Sequence, residues 1–528
     1  MGLPRSSRFI MRKLLVSLLV LFGFFIACGT WALASPVGSA TDDEYHLPSI
    51  WCSWGNSSGI CDLSDASSGW RVATVSDALL HRCYVASNLS PTCIASNAGS
   101  IGETDFVNGL NRPDLDWKSS ALYYGSTFYQ TLRMFVNQDV PNSVIRIRIA
   151  NVTIATFLLT IILVASPIAV ARAVALSWFL VLIPLGFFYV ASTNPSSWSI
   201  IGAGTMWAFL ISWLLEPDWR SWRANASLFG LIISCAMLIT NRKDGVFDVV
   251  VIGLACIILV YRQKMKARIR VWLFGLFLLF ISTISTMPSL NYGKELLSGR
   301  PSAASIATSP GTNPIVDNVR EFLVLPKSLW SVIGGNMRGQ PFAPFGLNEI
   351  HLSPLVPILL LVALTGFIYM GLRKSTKRKL IAVAFLLSSL AVSTVMQKYL
   401  QSPSSFMVQP RHLVPLLLAA AGLIFFSPGP NFQFRAIWIK ISLPLAVVGG
   451  SVALFETQAR YVGDSWRWST TTTSWWWQFA VGPGWNSVAA FLGLGIMACG
   501  VAGLFAIKDT YNHKADSITL GNSAKATH

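Results

Sequence analysis

Charge is what this sequence has least of. Only 12% of its 528 residues are Asp, Glu, Lys or Arg, and the mean hydropathy is +0.54. A soluble domain carries roughly 25% charged residues. So little charge cannot build a solvated surface, which excludes a soluble enzyme, a disordered tail protein and a secreted disulfide mini-domain. Charge is also missing from the centres of the long apolar runs, where Asp248 comes nearest and still lies toward one end. A mid-membrane charge costs about 2.5–3.5 kcal/mol on insertion scales, so pumps and transporters usually reveal themselves through such residues. Paired Gly/Pro-broken segments in two halves are lacking too, and both absences weigh against a transporter. There is no P-loop, GxGxxG, HExxH or GxSxG in a usable context, so no nucleotide is expected. No CxxC or HxH spacing marks a zinc site.

What is present is apolar length. After Arg5, Arg8, Arg12 and Lys13 an apolar run extends from Leu14 to about Ala34. A run of about 20 residues spans a ~30 Å hydrocarbon core, whereas a signal-peptide core is about 7–15. An uncleaved first helix is therefore the expectation, with a signal peptide as its rival. Further runs lie near 150–170, 173–191, 197–215, 225–240, 246–261, 271–289, 354–372, 380–396, 412–427, 437–455 and 487–507. The fold expected is an all-α polytopic membrane protein of about 12 transmembrane helices. The excess of 40 Lys and Arg over 23 Asp and Glu is then no footprint for nucleic acid. By parity, the basic stretches 262–270 and 373–379 fall on the side of the N-terminus, with Arg220, Arg223, Arg435, Lys440 and Lys508. The positive-inside rule makes that side cytoplasmic, and with it both termini. A bacterial cytoplasmic membrane is the expected location. The segments are 1–34 (N-terminus and first helix), 35–149 (first outer loop), 150–289 (helices), 290–353 (second outer loop), 354–507 (helices, with a Trp-rich outer loop at 456–486) and 508–528 (cytoplasmic tail). Long ordered loops tend to be functional.

Four of the eight cysteines, Cys52, Cys61, Cys83 and Cys93, share the first outer loop. An even cluster on the oxidising side of a membrane reads as two disulfides. Local pairing, Cys52 with Cys61 and Cys83 with Cys93, is the simplest of three connectivities. The same loop opens on Asp42, Asp43 and Glu44, followed by His46. Mutual repulsion among three successive carboxylates raises at least one pKa, which suits a general base or a cation site. A solvated acidic helix start accounts for the same residues without chemistry.

Pro36, the Asp43-Glu44 pair and His46 resemble the P-x-DE-x-x-H signature of a bacterial membrane family, domain of unknown function 2142. Ser192-Thr193-Asn194-Pro195 is similar to that family's S-x-N-P element, and Gln409-Pro410-Arg411-His412-Leu413-Val414-Pro415 to its Q-G-R-Y-x-x-P element. The chain departs from the pattern in three ways. One residue, not two, separates the acidic pair from His46, and Pro410 and His412 replace Gly and Tyr. The family in turn resembles, remotely, the GT-C glycosyltransferases, multispanning enzymes that take sugar from polyprenyl-phosphate donors and carry acidic residues in the first outer loop. The resemblance implies a GT-C-like bundle and transfer of a sugar to an envelope glycan, lipid or protein. Asp43 would act as base, with Glu44, His46 and Asp42 in support and a divalent cation as an optional cofactor. A non-enzymatic carrier or flippase and an envelope-assembly scaffold are the alternative readings.

Basic and aromatic residues complete the expected site. Arg242 and Lys243 lie in a tight outer turn that breaks the positive-inside trend, and Arg411 stands at the mouth of another helix. Arg grips phosphate bidentately and Lys offers a point charge, so these three are the candidates for holding a lipid phosphate. Arg146 and Arg148 are weaker candidates, and snorkelling to headgroups is the plain alternative. Trp466, Trp468 and Trp475 in the last outer loop suit stacking on a sugar acceptor, although an interfacial aromatic belt would hold them equally well.

Overall fold

The computed structural model describes residues 5–65, 71–80, 83–84, 91, 93, 100–104, 126–242, 244–260, 269–280, 325–326, 328–335, 350–373, 375–400, 409–427, 436–462, 475–477 and 481–507. Helix α1 (Arg5–Leu33) is followed by a short α2 (Asp43–Trp51) and three strands, β1 (Asp62–Asp65), β2 (Arg71–Ser76) and β3 (Ile101–Thr104). Then come α3 (Ser126–Leu132), α4 (Val140–Ala165), α5 (Ile168–Val181), α6 (Leu185–Val190), α7 (Ser196–Leu215), α8 (Trp222–Asn241) and α9 (Gly245–Val260). The remainder is α10 (Ile269–Phe280), α11 (Leu355–Arg373), α12 (Lys377–Leu400), α13 (Val414–Phe425), α14 (Ala436–Val462) and α15 (Pro483–Ala506).

Among the described residues seven helices are long and apolar enough to cross a membrane, namely α1, α4, α7, α8, α11, α14 and α15, by length and composition. Four more apolar helices, α5, α9, α10 and α13, are 10–17 residues long. Small residues let the closest pair approach. In α1 and α15, which run antiparallel, a Cβ on Gly23 would lie 2.3 Å from Met497 N, and one on Gly493 2.7 Å from Ala27 N. Membrane helices pack this way because lipid offers no hydrophobic drive toward association, leaving close van der Waals contact to supply it.

The two ends of the bundle use their basic side chains differently. At one end, basic side chains bond the final carbonyls of helices that stop there, groups no helix can satisfy itself. Lys13 donates to Ser166 O at 2.7 Å, Arg172 to Leu504 O at 2.9 Å, Arg270 to Glu216 O at 2.7 Å and Lys379 to Gly371 O at 2.9 Å. The sequence motifs gather at the other end.

Two expectations need correction. The fold is not purely helical, because β1, β2 and β3 form an antiparallel sheet within the 35–149 loop, registered as Leu63 opposite Ala73 and Val75 opposite Gly102. Ala73 and Val75 are buried while Thr74 and Ser76 are half-buried, the period-two pattern of a one-sided strand. The run 173–191 is not one helix either. It divides into α5 and α6 around Pro184, which lacks an N–H and disfavours helical backbone just before it. The disulfides are Cys52–Cys61 and Cys83–Cys93, with Cα atoms 5.4 and 6.2 Å apart, the local pairing.

Candidate functional site

The site begins where α1 stops. Residues 34–41 are buried, so their backbone carbonyls must find protein partners. Arg148, buried on α4, supplies two of them and reaches two neighbouring acceptors as well. Its guanidinium donates to Ala32 O at 3.0 Å, Ser35 O at 2.6 Å, Pro36 O at 2.8 Å and Ser39 Oγ at 3.2 Å. Tyr84 donates to Val37 O at 2.8 Å, and Asn194 Nδ2 to Thr41 O at 2.8 Å. Arg148 is therefore committed to backbone and is not a phosphate ligand, while Arg146 is exposed on the same helix.

The three acids have three different environments. Asp42, at φ 63°, precedes α2, and its carbonyl receives Tyr45 N at 3.0 Å and His46 N at 2.9 Å. Its carboxylate turns away from the helix to meet Arg411 Nη2 at 2.5 Å. Asp43 is fully buried, accepting Ala40 N at 3.1 Å on one oxygen and Thr193 Oγ1 at 2.7 Å on the other. Glu44 is exposed. The carboxylate favoured from sequence as the base is thus enclosed, and Glu44 and Asp42 are the ones solvent reaches.

Arg411 is positioned by a short 3-10 turn, Pro410–His412, ahead of α13. Besides Asp42 it reaches Thr41 O at 3.4 Å and lies 5.7 Å above the Tyr189 ring, whose hydroxyl is 3.2 Å from Thr41 Oγ1. Arg242 is buried and forks onto Asp244 at 2.9 and 2.7 Å. Its neighbour Asn241 ties α8 to the Asn194-Pro195 turn by donating to Pro195 O at 2.6 Å. His46 Nδ1 is 2.9 Å from Tyr129 Oη. Burial pushes the His46 pKa down to about 3; the nearby Asp42 charge opposes this, and Arg411 and Arg242 add to it. Burial, then Arg242 and Arg411, also hold His412 well below the usual histidine range. Both rings are neutral at pH 7.

Trp475 is half-buried 4.4 Å from Trp476, which leads through Tyr461 at 5.6 Å to Tyr84 at 5.7 Å. Trp477 donates to Leu33 O at 2.8 Å, so the last loop packs on the end of α1. Lys243, Trp466 and Trp468 lie outside the described residues. Among the described residues no three His, Cys, Asp or Glu side chains gather to hold a metal.

Three separated stretches thus converge: Asp42 and Asp43 from the first loop, Thr193 and Asn194 from the α6–α7 junction, and Arg411 from before α13. Sequence reasoning missed Tyr129 and Tyr189, which nothing local distinguishes from other aromatics of a membrane protein. It also missed the duty of Arg148, for which an arginine this close to an apolar run was the available signal. Chemically, the cluster offers an accessible carboxylate beside a cation at a bundle end, an arrangement fit to bind a polar ligand at a membrane surface. These features define a multi-pass membrane protein with a polar junction at one end. Residues 24–420 match the family described as predicted membrane protein, domain of unknown function 2142, and the chain belongs to that family. No curated protein and no solved structure matches the chain.

Proposed function

We propose that the protein is an integral-membrane glycosyltransferase of GT-C type. It has about twelve passes and both termini in the cytoplasm of a bacterial cell, and it works on the outer face of the cytoplasmic membrane. It moves a sugar from a polyprenyl-phosphate donor to an envelope glycan or lipid. The observation that carries this reading is the Asp42–Arg411 pair, with Glu44 exposed two residues on, at the end of the bundle opposite Lys13, Arg172, Arg270 and Lys379. Glu44 takes the proton of the acceptor hydroxyl as that oxygen bonds the anomeric carbon. The bond to the donor phosphate breaks, and the lipid phosphate leaves with the electron pair. Arg411, with Arg242 and Lys243, stabilises the charge that develops there. Asp43 and His46 hold the motif in shape, and Trp475, with Trp466 and Trp468, lines the acceptor side.

The test is transfer of radiolabelled sugar from polyprenyl-phosphate donors in membranes carrying each variant. Glu44→Gln is expected to lower transfer by about 10²–10⁴, the usual cost of a lost general base. Wild-type membranes that transfer nothing from any donor, yet move lipid-linked substrate across the bilayer, would replace this reading with a carrier.

A further inference from the structure

Along α8 a groove of about 390 Å³ is bounded by α7 and α10. Leu228, Ile232, Cys235, Ala236 and Ile239 form its floor, one stripe of the helix at spacings of three and four. Phe274 and Phe277 of α10 are among its walls. Thr240 brings the one hydroxyl among the lining residues, and that hydroxyl donates to Ala236 O at 2.8 Å. At one end Arg270 stacks 5.5 Å from the centre of the Trp213 ring and bonds the Trp213 carbonyl. The other end is Thr240, two residues before the buried Arg242 of the polar junction.

We infer that this groove holds the single long hydrocarbon chain of a lipid whose phosphate lies at the Arg242–Arg411 end. The inference rests on the proposed lipid-phosphate donor and names where its tail runs. Two observations point to a lipid phosphate, and a third favours a long single chain over an ordinary two-chain phospholipid. The lining is apolar and belongs to helices at membrane depth. The groove leads toward the polar junction, where Arg242 and Arg411 are both buried. From Leu228 to Thr240 the helix rises roughly 18 Å at about 1.5 Å per residue. Half of a ~30 Å hydrocarbon core is only about 15 Å, so a chain filling the groove from the Arg242 side passes beyond one leaflet. A phospholipid tail ends at the midplane.

The test uses the full chain in phospholipid nanodiscs and a long-chain polyprenyl phosphate bearing a photoreactive group in its tail. Labelled peptides are mapped by mass spectrometry. Labelling is expected on the 228–240 stripe and on α10. Ala236→Trp and Ile232→Trp, both at exposed positions, fill the groove and should reduce labelling by roughly tenfold, about 1.4 kcal/mol of binding. Phe229→Trp, on an exposed face outside the groove, should leave it unchanged. Excess diacyl phosphatidic acid should compete poorly. Labelling elsewhere, labelling indifferent to Ala236→Trp, or equal competition by phosphatidic acid would each overturn the inference. Labelling of the groove by a protein that transfers no sugar would keep the lipid site and remove the glycosyltransferase reading.

Discussion

Asp42 and Arg411 stand 369 residues apart in the chain and 2.5 Å apart in space. Asp42 makes this contact from a left-handed backbone, φ 63°, at the start of α2. The pair joins the two most distant motif stretches, so the shape of the junction depends on both residues together.

Asp42→Asn and Arg411→Ala should therefore be non-additive. A double-mutant cycle on thermal unfolding in detergent is expected to give a coupling of about 0.5–3 kcal/mol, the range for residues in direct contact. The lower half of that range is expected, because Asp42 is 42% exposed and water screens the pair. Additive losses would mean that the two side chains do not act as a unit.

Thr193→Val tests the enclosed carboxylate. It removes the hydroxyl that donates to Asp43 at 2.7 Å and leaves a buried acceptor short of a partner. A loss of about 1–3 kcal/mol in unfolding free energy is expected. Asp43→Asn should also destabilise the fold, whereas Glu44→Gln should leave stability within about 0.5 kcal/mol of wild type, as at most exposed sites.

Arg148→Met should be the most damaging of these changes. It removes the donor from three buried backbone carbonyls, while the Ser39 hydroxyl keeps its bond to Ser35 Oγ. Each buried carbonyl left without a donor costs about 1–3 kcal/mol, and three are affected at once. Arg148→Lys should rescue only partly, because one ammonium cannot match the two-nitrogen fork now serving four acceptors. Equal stability of Arg148→Lys and wild type, read by melting temperature in detergent, would contradict this.

The histidines set a pH dependence with a definite sign. Unfolded His46 takes up a proton near pH 6.5, whereas the folded ring does so only at about 3. The unfolded state therefore binds more protons between these values, so stability is intact above about pH 6.5 and is lost as pH falls below it. The slope from one such group approaches roughly 1.4 kcal/mol per pH unit. His412, also held low, adds in the same direction. Unfolding measured from pH 8 to pH 5 should show the decline, and His46→Gln should flatten it. A rise in stability on acidification would mean that His46 is charged in the folded protein.

Much of the frame was legible one residue at a time. Apolar length marked the helices, since a span of ~30 Å needs its residues in one uninterrupted run. Basic residues marked one end of the bundle because they cluster in the short segments between apolar runs, although the helix ends they bond are mostly far away in the chain, as with Lys13 and Ser166 or Arg172 and Leu504. The paired cysteines were legible because each bridge closes a separation of only 9 or 10 residues. The small sheet passed unnoticed although Ala73, Thr74, Val75 and Ser76 alternate, because four residues carry little signal beside runs of twenty.

The site divides the same way. Sequence alone marked Asp42, Asp43, Glu44, Thr193, Asn194 and Arg411 as three separate motifs, and hydrophobicity with charge determined that the chain is a multi-pass membrane protein. Only the tertiary structure decided which acid is enclosed, which faces solvent and which meets an arginine, because neighbours in sequence point in different directions around the turn into α2. It also decided that Arg148 serves backbone carbonyls while Arg411 serves a carboxylate. Both are arginines beside apolar runs, and what separates them is the set of acceptors brought within reach from more than a hundred residues away. A buried guanidinium must find partners wherever the fold supplies them, and no local pattern records where that will be.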